Sequence, residues 1–282
     1  MTSTVFRRQL EIQYKTPEQI QKMRAAGLVV AEALAAAREA VAPGISTAKL
    51  DQIAEEVIRS HGATPSFLGY HGYPATICAS VNSQVVHAIP SASQVLHDGD
   101  IISIDCGAIL DGWHGDSAIT VPVGRVDPAL TKLTKAAEDA LWAGIATAAR
   151  GTVSGRGRLT DISRSVETAV RSAGRYGIVD GYGGHGIGTE MHQDPHVLNH
   201  GRPGKGPRLV PGLCLAIEPM ITLGSPRTVE LSDGWTVVTQ DNSVAVHVEH
   251  TIALLDDGAW VLTADDGGIE RLGALASASA RL

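Results

Sequence analysis

Four carboxylates carry the chemical interest of this sequence: Asp105, Asp116, Glu218 and Glu249, each on the small-residue side of a strand pattern whose other side is apolar. In the run 101–121, two β-branched stretches flank Asp111-Gly112. That pair favours a two-residue type I′ hairpin turn, in which both central residues need positive φ. A turn there pairs Ile102 with Val121 and Ile104 with Ile119 on one face. The other face then holds Ser103 with Thr120, Asp105 with Ala118 and Gly107 with Asp116. Asp105 and Asp116 become diagonal neighbours, roughly 7–8 Å apart at the backbone, a gap that two side chains can close around a cation. Without a counter-ion, two like charges facing one space push one pKa upward. Acids beside a turn are also commonly just solvated, so the hairpin by itself leaves both readings open.

The same parity extends to the other two acids. Along 213–221 the odd positions Leu213, Leu215, Ile217 and Ile221 are apolar, and Glu218 shares its side with Cys214 and Ala216. Along 244–255, read as one strand, Val244, Val246, Val248, Ile252 and Leu254 are apolar, and Glu249 shares its side with Ala245, His247, Thr251 and Ala253. Four strand-borne acids with small neighbours are hard to explain by solvation alone. A nitrogen ligand is available in Gly183-Gly184-His185-Gly186-Ile187-Gly188, where glycines leave the imidazole unobstructed. A histidine in such a loop is more commonly a turn residue, and the strand-loop-helix setting of a dinucleotide fingerprint is missing.

The elements that must position these groups follow from caps and helical stripes. Thr16-Pro17-Glu18 supplies an N-cap, a first-turn proline and an early acid for a helix whose stripe is Ile20, Met23, Val30, Leu34 and Val41, ended by Pro43-Gly44. Ser46 or Thr47 opens a second helix with Leu50, Ile53, Val57 and Ile58 inward, closed by Gly62. From 63 to 90 the chain is aromatic and punctuated by Gly and Pro, with a short strand-loop-strand around Cys78 to His87, the composition of a pocket wall. Asp127-Pro128 opens a third helix with Leu130, Leu133, Leu141 and Ile145 inward, stopped by Gly151. A fourth runs from about Thr160 to Gly174 on Ile162, Val166 and Val170. Leu50, Ile53 and Val57 recur as Leu159, Ile162 and Val166 at an offset of 109, and a glycine precedes both Asp105 and Glu218 by six residues. The order predicts two copies of a helix-helix-hairpin unit. The Gly/Pro/basic stretch 200–211 and Gly155-Arg156-Gly157 read as mobile surface loops rather than phosphate cradles.

Composition sets the outer bounds. With 282 residues, 44% hydrophobic and 19% charged, the chain reads as a soluble globular protein with a sizeable core. A net charge of −7 argues against nucleic-acid readout as the main function, a local basic patch aside. Cys78, Cys106 and Cys214 are odd in number and lack a CxxC, so neither a disulfide framework nor a thiolate zinc site is indicated, and a reducing cytoplasm is the expected location. The N-terminus lacks a signal-peptide core, and the most apolar run, Leu28 to Ala37, is broken by Glu32 and too short to span a membrane.

GHGIG at 184–188 followed by His192 and Pro195, IEPM at 217–220, EHT at 249–251, and Asp105 with Asp116 eleven residues later together resemble the methionine aminopeptidase family. The resemblance runs from Thr16 to about Leu262. It implies an α+β, pita-bread fold: two pseudo-symmetric helix-hairpin halves around a curved antiparallel sheet. Residues 16–282 would form a single catalytic domain behind an N-terminal extension at 1–15. With no zinc-finger extension and no large helical insertion, the chain is similar to the compact type I enzymes.

The resemblance also implies roles. Asp105, Asp116 and Glu249 would hold one metal ion, and Asp116 and Glu249 would bridge to a second completed by His185 and Glu218. Four carboxylates and a neutral imidazole balance two divalent cations, and this oxygen-rich set suits Co, Mn, Fe or Zn. A water shared by two such ions becomes a nucleophile near neutral pH. Glu218 would shuttle the water proton, His192 would stabilise the oxyanion, and His87 would contact the scissile peptide or leaving amine. Phe67, Tyr70, Tyr73, Cys78 and Trp235, with His87, Met191 and His192, would wall a pocket for one unbranched methionine side chain. Met191 stands where an aromatic is common, Phe67 where a smaller residue is frequent and Gln193 where Glu is common, which bears on pocket shape and on the second substrate residue.

The implied activity is removal of N-terminal methionine from nascent proteins and peptides with a small second residue. It would be carried out by a monomer near the ribosome, with no membrane and no direct nucleic-acid readout. Two rivals remain at this level. Prolidase and aminopeptidase P share the ligand set but usually carry a large N-terminal domain. A non-catalytic pita-bread binding protein has usually lost the ligands.

Overall fold

Capping chemistry starts the helices where the sequence predicts. Thr16 and Gln19 form a reciprocal capping box for α1 (Pro17–Ala40). Ser46 accepts from the Lys49 amide to open α2 (Thr47–Ser60), and Asp127 accepts from the Ala129 amide to open α3 (Pro128–Val153), which is followed by α4 (Leu159–Ala173). The computed structural model describes residues 10–281, so residues 1–9 of the predicted extension, and Leu282, lie outside the described residues. The described part of that extension lies on the body. The Glu11 amide donates to the Asp194 carboxylate, and the Lys15 amide donates to the Gly212 carbonyl.

Two helical details differ from expectation. α3 does not stop at Gly151 but runs on to Val153. A Cβ at Gly151 would stand 2.7 Å from Leu209 Cδ1 and 3.0 Å from Gly157 Cα, so the glycine serves close packing rather than termination. On α2 the buried stripe is Leu50, Ala54 and Ile58, with Ile53 and Val57 half-buried at its edge.

In the first half, strands Ile101–Leu110 and Trp113–Pro122 pair from Ile101↔Pro122 to Leu110↔Trp113. The turn is therefore Asp111-Gly112, at φ 50° and 79°, both positive as a type I′ turn requires. Strand Ile77–Val81 flanks the hairpin and sets Cys78 opposite Asp105. Ile102, Ile104 and Cys106 pack against Val30 and Leu34 of α1 and Leu50 and Ile58 of α2, leaving the other hairpin face to the acids.

In the second half, Leu215, Ile217, Ile221, Val246, Val248, Ile252 and Leu254 pack against Leu133, Ile145, Ile162 and Val166 of α3 and α4. Neither strand of this half is continuous, contrary to the sequence reading. Cys214–Ile217 pairs with His250–Leu255, and Met220–Thr222 pairs with Ala245–His247, in one register kept across a gap. Pro219 lies in that gap and has no N–H to give to a ladder. Glu218 and Glu249 face each other across it.

The halves meet edge to edge. Glu249 donates its amide to the Ala118 carbonyl at 2.9 Å and accepts from the Ala118 amide at 3.4 Å. The Thr251 hydroxyl donates to the Asp116 carbonyl at 2.7 Å, Ser117 to the Glu249 carbonyl at 2.6 Å and Thr120 to the His247 carbonyl at 2.7 Å. Cys78, Asp105, Ala118, Glu249 and Glu218 thus form one row across the seam. The stretch 200–211, expected to be free, is pinned. Leu209 is buried, and the Lys205 and Pro207 carbonyls accept the first amides of α4. Among the described residues, no helix is long and apolar enough to cross a membrane.

Candidate metal centre and substrate cleft

Every residue singled out from the sequence as a site residue lines one cleft at this seam. Asp105, Asp116, His185, Glu218 and Glu249 lie at its floor with His87 and His192, while Phe67, Tyr70, Tyr73, Cys78, Met191 and Trp235 form its wall. Two further lining residues, Val86 and His247, were not singled out. His247 shares strand parity with Glu249, two residues on, and that parity is the signal that could have found it.

Asp116, His185 and Glu249 offer ligand atoms that all lie within 4.8 Å of one another. His185 Nε2 stands 3.8 Å from Asp116 Oδ2 and 3.6 Å from Glu218 Oε1. Its Nδ1 lies 2.9 Å from the Gly186 carbonyl, which fixes the proton there and leaves Nε2 free as a ligand. The flanking glycines are needed for this approach: a Cβ on Gly184 would collide with the Ala216 carbonyl, and one on Gly186 with that of Asp194. His247 Nε2 lies 3.5 Å from Glu218 Oε2 and 4.0 Å from Glu249 Oε2.

Electrostatics tests whether this donor set fits cations. Buried side-chain atoms normally have hydrogen-bond partners, yet Asp105 Oδ1, Asp116 Oδ1, Glu249 Oε1 and His247 Nε2 are buried with none. Burial pushes Asp105 up to about 7, with His247 pulling down and Glu218 adding to the rise. Burial first, then the neighbouring acids, raise Asp116 and Glu249 well above the ordinary carboxylate range. Glu218 alone is held below its ordinary value, because His247, His185 and His192 outweigh its burial. Four clustered acids, of which Asp105, Asp116 and Glu249 are raised and keep unpartnered oxygens, are satisfied by divalent cations, so the residues fit such a group.

The wall is apolar and braced. Phe67, Tyr73, Cys78 and Met191 form one buried cluster, with Tyr70 and Trp235 packed against it. Phe67 lies over Gly107, where an added Cβ would come within 2.9 Å of its ring. Tyr73 meets Trp235 edge-on at 5.0 Å between centroids and donates its hydroxyl to the Ile77 and Ala88 carbonyls. His87 has a left-handed backbone, φ 59°, and its ring sits between Tyr182 and Trp235. A non-glycine residue held in that region stores strain of order 1–3 kcal/mol, a pattern frequent at functional sites. Burial lowers His87, and burial with His185 takes His192 down to about 4, so both imidazoles are neutral near pH 7.

Comparison with known proteins identifies the family. The model of metallopeptidase family M24 matches residues 21–256. Methionine aminopeptidase 1 of Mycobacterium tuberculosis is 57% identical over 250 residues, covering 87% of this chain and 92% of that protein. Methionine aminopeptidase 1 of Bacillus subtilis is 47% identical over 249 residues, covering 88% and 98%. The crystal structure of methionine aminopeptidase from Rickettsia prowazekii superposes with a TM-score of 0.85 at 37% identity, over 90% of this chain and all of that one. Prolidase from Pyrococcus furiosus is more distant, with a TM-score of 0.68 at 19% identity over 89% of this chain and 65% of its own, and shares the fold alone. The chain therefore belongs to metallopeptidase family M24 and, within its pita-bread fold, to the compact type I methionine aminopeptidases.

Proposed function

We propose that residues 16–282 act as one catalytic unit that removes N-terminal methionine from nascent polypeptides and peptides when the second residue is small. The observation that carries this reading is a braced apolar wall of Phe67, Tyr73, Cys78, Met191 and Trp235 beside buried carboxylates with unpartnered oxygens. Asp105, Asp116, His185, Glu218 and Glu249 would hold the divalent cations, two in number on this reading and drawn from Co, Mn, Fe or Zn. When bound, such ions polarise a carbonyl and acidify a water.

Glu218 takes the proton as the water oxygen attacks the methionyl carbonyl carbon, and returns it to the departing nitrogen as the C–N bond breaks. The histidines around it hold it ionised, which leaves an oxygen lone pair to receive a proton. His192 donates to the carbonyl oxygen as charge develops there. His87, between Tyr182 and Trp235, meets the leaving amine. Tyr70, Tyr73 and Cys78 complete the methionine pocket, and limited space beyond the acids would favour a small second residue.

The same reading has the protein work as a cytoplasmic monomer near the ribosome. Arg158 and Arg208 bridge each other's loops, with guanidiniums on the Gly206 and Gly155 carbonyls, and exposed Arg156 and Lys205 lie alongside. This basic edge supports a sequence-independent encounter with RNA phosphates.

A metal-reconstituted peptide panel tests the function. The chelated protein is expected to be inert on a Met-Ala-Ser peptide and to release methionine again with Mn(II) or Co(II), read by mass spectrometry. Cleavage of Xaa-Pro peptides instead would support the prolidase reading, and metal binding without either cleavage the non-catalytic one.

A further inference from the structure

The Tyr70 hydroxyl lies 2.8 Å from Nδ1 of His192, a closer polar contact than the wall of an apolar pocket needs. A neutral imidazole carries its proton on one nitrogen only. If the phenol donates, Nδ1 accepts and the proton stands on Nε2, the ring nitrogen left free for a substrate. If Nδ1 instead donates to the phenol oxygen, Nε2 presents a lone pair and repels a carbonyl oxygen. We propose that Tyr70 is a positioning residue that holds His192 in the Nε2–H tautomer and so makes it a hydrogen-bond donor to the substrate carbonyl. This deepens the reading above and rests on His192 as the oxyanion donor.

The backbone gives an independent reason to assign Tyr70 this task. It sits in a tight turn between Gly69 at φ 87° and His71 at φ 48°, followed by Gly72 at φ 89°. The Tyr70 amide donates to the Phe67 carbonyl, and the Tyr73 amide donates to the Tyr70 carbonyl. A non-glycine residue in the left-handed region costs about 1–2 kcal/mol, and this turn holds His71 there. The neighbouring tyrosine of the wall behaves differently: Tyr73 directs its hydroxyl to the backbone, away from any titratable ring. His192 is confined on its other side by His185, with ring centroids 4.4 Å apart at 71°, so a fixed ring orientation and a fixed tautomer go together.

The test combines a mutant cycle with spectroscopy. In the Mn(II)-loaded enzyme, Tyr70→Phe should lower kcat about 10–100-fold with KM within about twofold, the pattern of a lost transition-state contact. Added to His192→Ala it should cost less than about twofold more, because the two act as one unit. In the Zn(II)-loaded, 15N-histidine-labelled wild type, the two resonances missing from the His192→Ala spectrum should report a protonated Nε2 and an unprotonated Nδ1. A protonated Nδ1, or wild-type kcat in Tyr70→Phe, overturns the proposal. If His192→Ala itself keeps wild-type kcat, the oxyanion reading has failed instead. Where His192→Ala folds poorly, His192→Gln identifies the same two resonances.

Discussion

Asp116 is held from both sides of the seam. Its carboxylate faces His185, its carbonyl accepts from Thr251, and its own amide reaches the same hydroxyl at 3.3 Å. Asp116→Ala is expected to abolish turnover, since it removes a shared ligand while leaving a small residue on a buried strand. Wild-type rates in that variant would sink the site assignment. At this scale the sequence was informative wherever two constraints coincided. Asp111-Gly112 set the hairpin register, the register set the face, and the face put Asp105 beside Asp116. His247 falls on the same strand side as Glu249 but receives no role from the sequence, because the parity argument is applied to acids alone. The contact of Tyr70 with His192 spans 122 residues, a separation that no local pattern encodes.

Among elements, the turn carrying Trp235 shows how a wall is set. Asp233 accepts from the Trp235 and Thr236 amides and from the Thr236 hydroxyl at 2.6–2.9 Å, and Gly234 supplies φ 75°. Asp233→Ala should loosen Trp235 by about one hydrogen bond, roughly 1 kcal/mol, and raise KM for methionyl peptides about fivefold with a smaller change in kcat. Steady-state kinetics across peptide concentration would check it. A second acid turn is pH-sensitive. Asp241 accepts from the Ser225 and Ser243 amides and the Ser243 hydroxyl, and these bonds hold it down to about 2, against an ordinary 3.8. Because the folded pKa lies below the unfolded one, this contribution to stability is present above the ordinary value and is lost as pH falls through the folded one. A carboxyl 13C titration of Asp241 with a midpoint near the ordinary value would refute it. Element boundaries were the least legible feature. Gly151 looked like a helix stop and is a packing contact, and the strands at Glu218 and Glu249 looked continuous because alternation survives the gap.

For the molecule as a whole, the helix-helix-hairpin repeat foretold two halves, because each helix pair must cover one apolar hairpin face to bury its own stripe. How the halves join was not legible. Asp116, Ser117, Ala118 and Thr120 meet His247, Glu249 and Thr251 through hydroxyls and backbone amides whose partners lie 127 to 135 residues away. The gap opposite Pro219 then has a thermodynamic meaning. Where the ladder is interrupted, the chain places acids that repel one another, so a break in its strand pairing and its cation site coincide. Cation binding and folding are linked functions of this chain, because the donors come from both halves and are gathered only in the native state. Loading at a hundred times Kd should add about 2.7 kcal/mol to the stability of the whole. Chelation should therefore lower a single melting transition in calorimetry, and a shift confined to one of two separate transitions would show that the halves unfold independently.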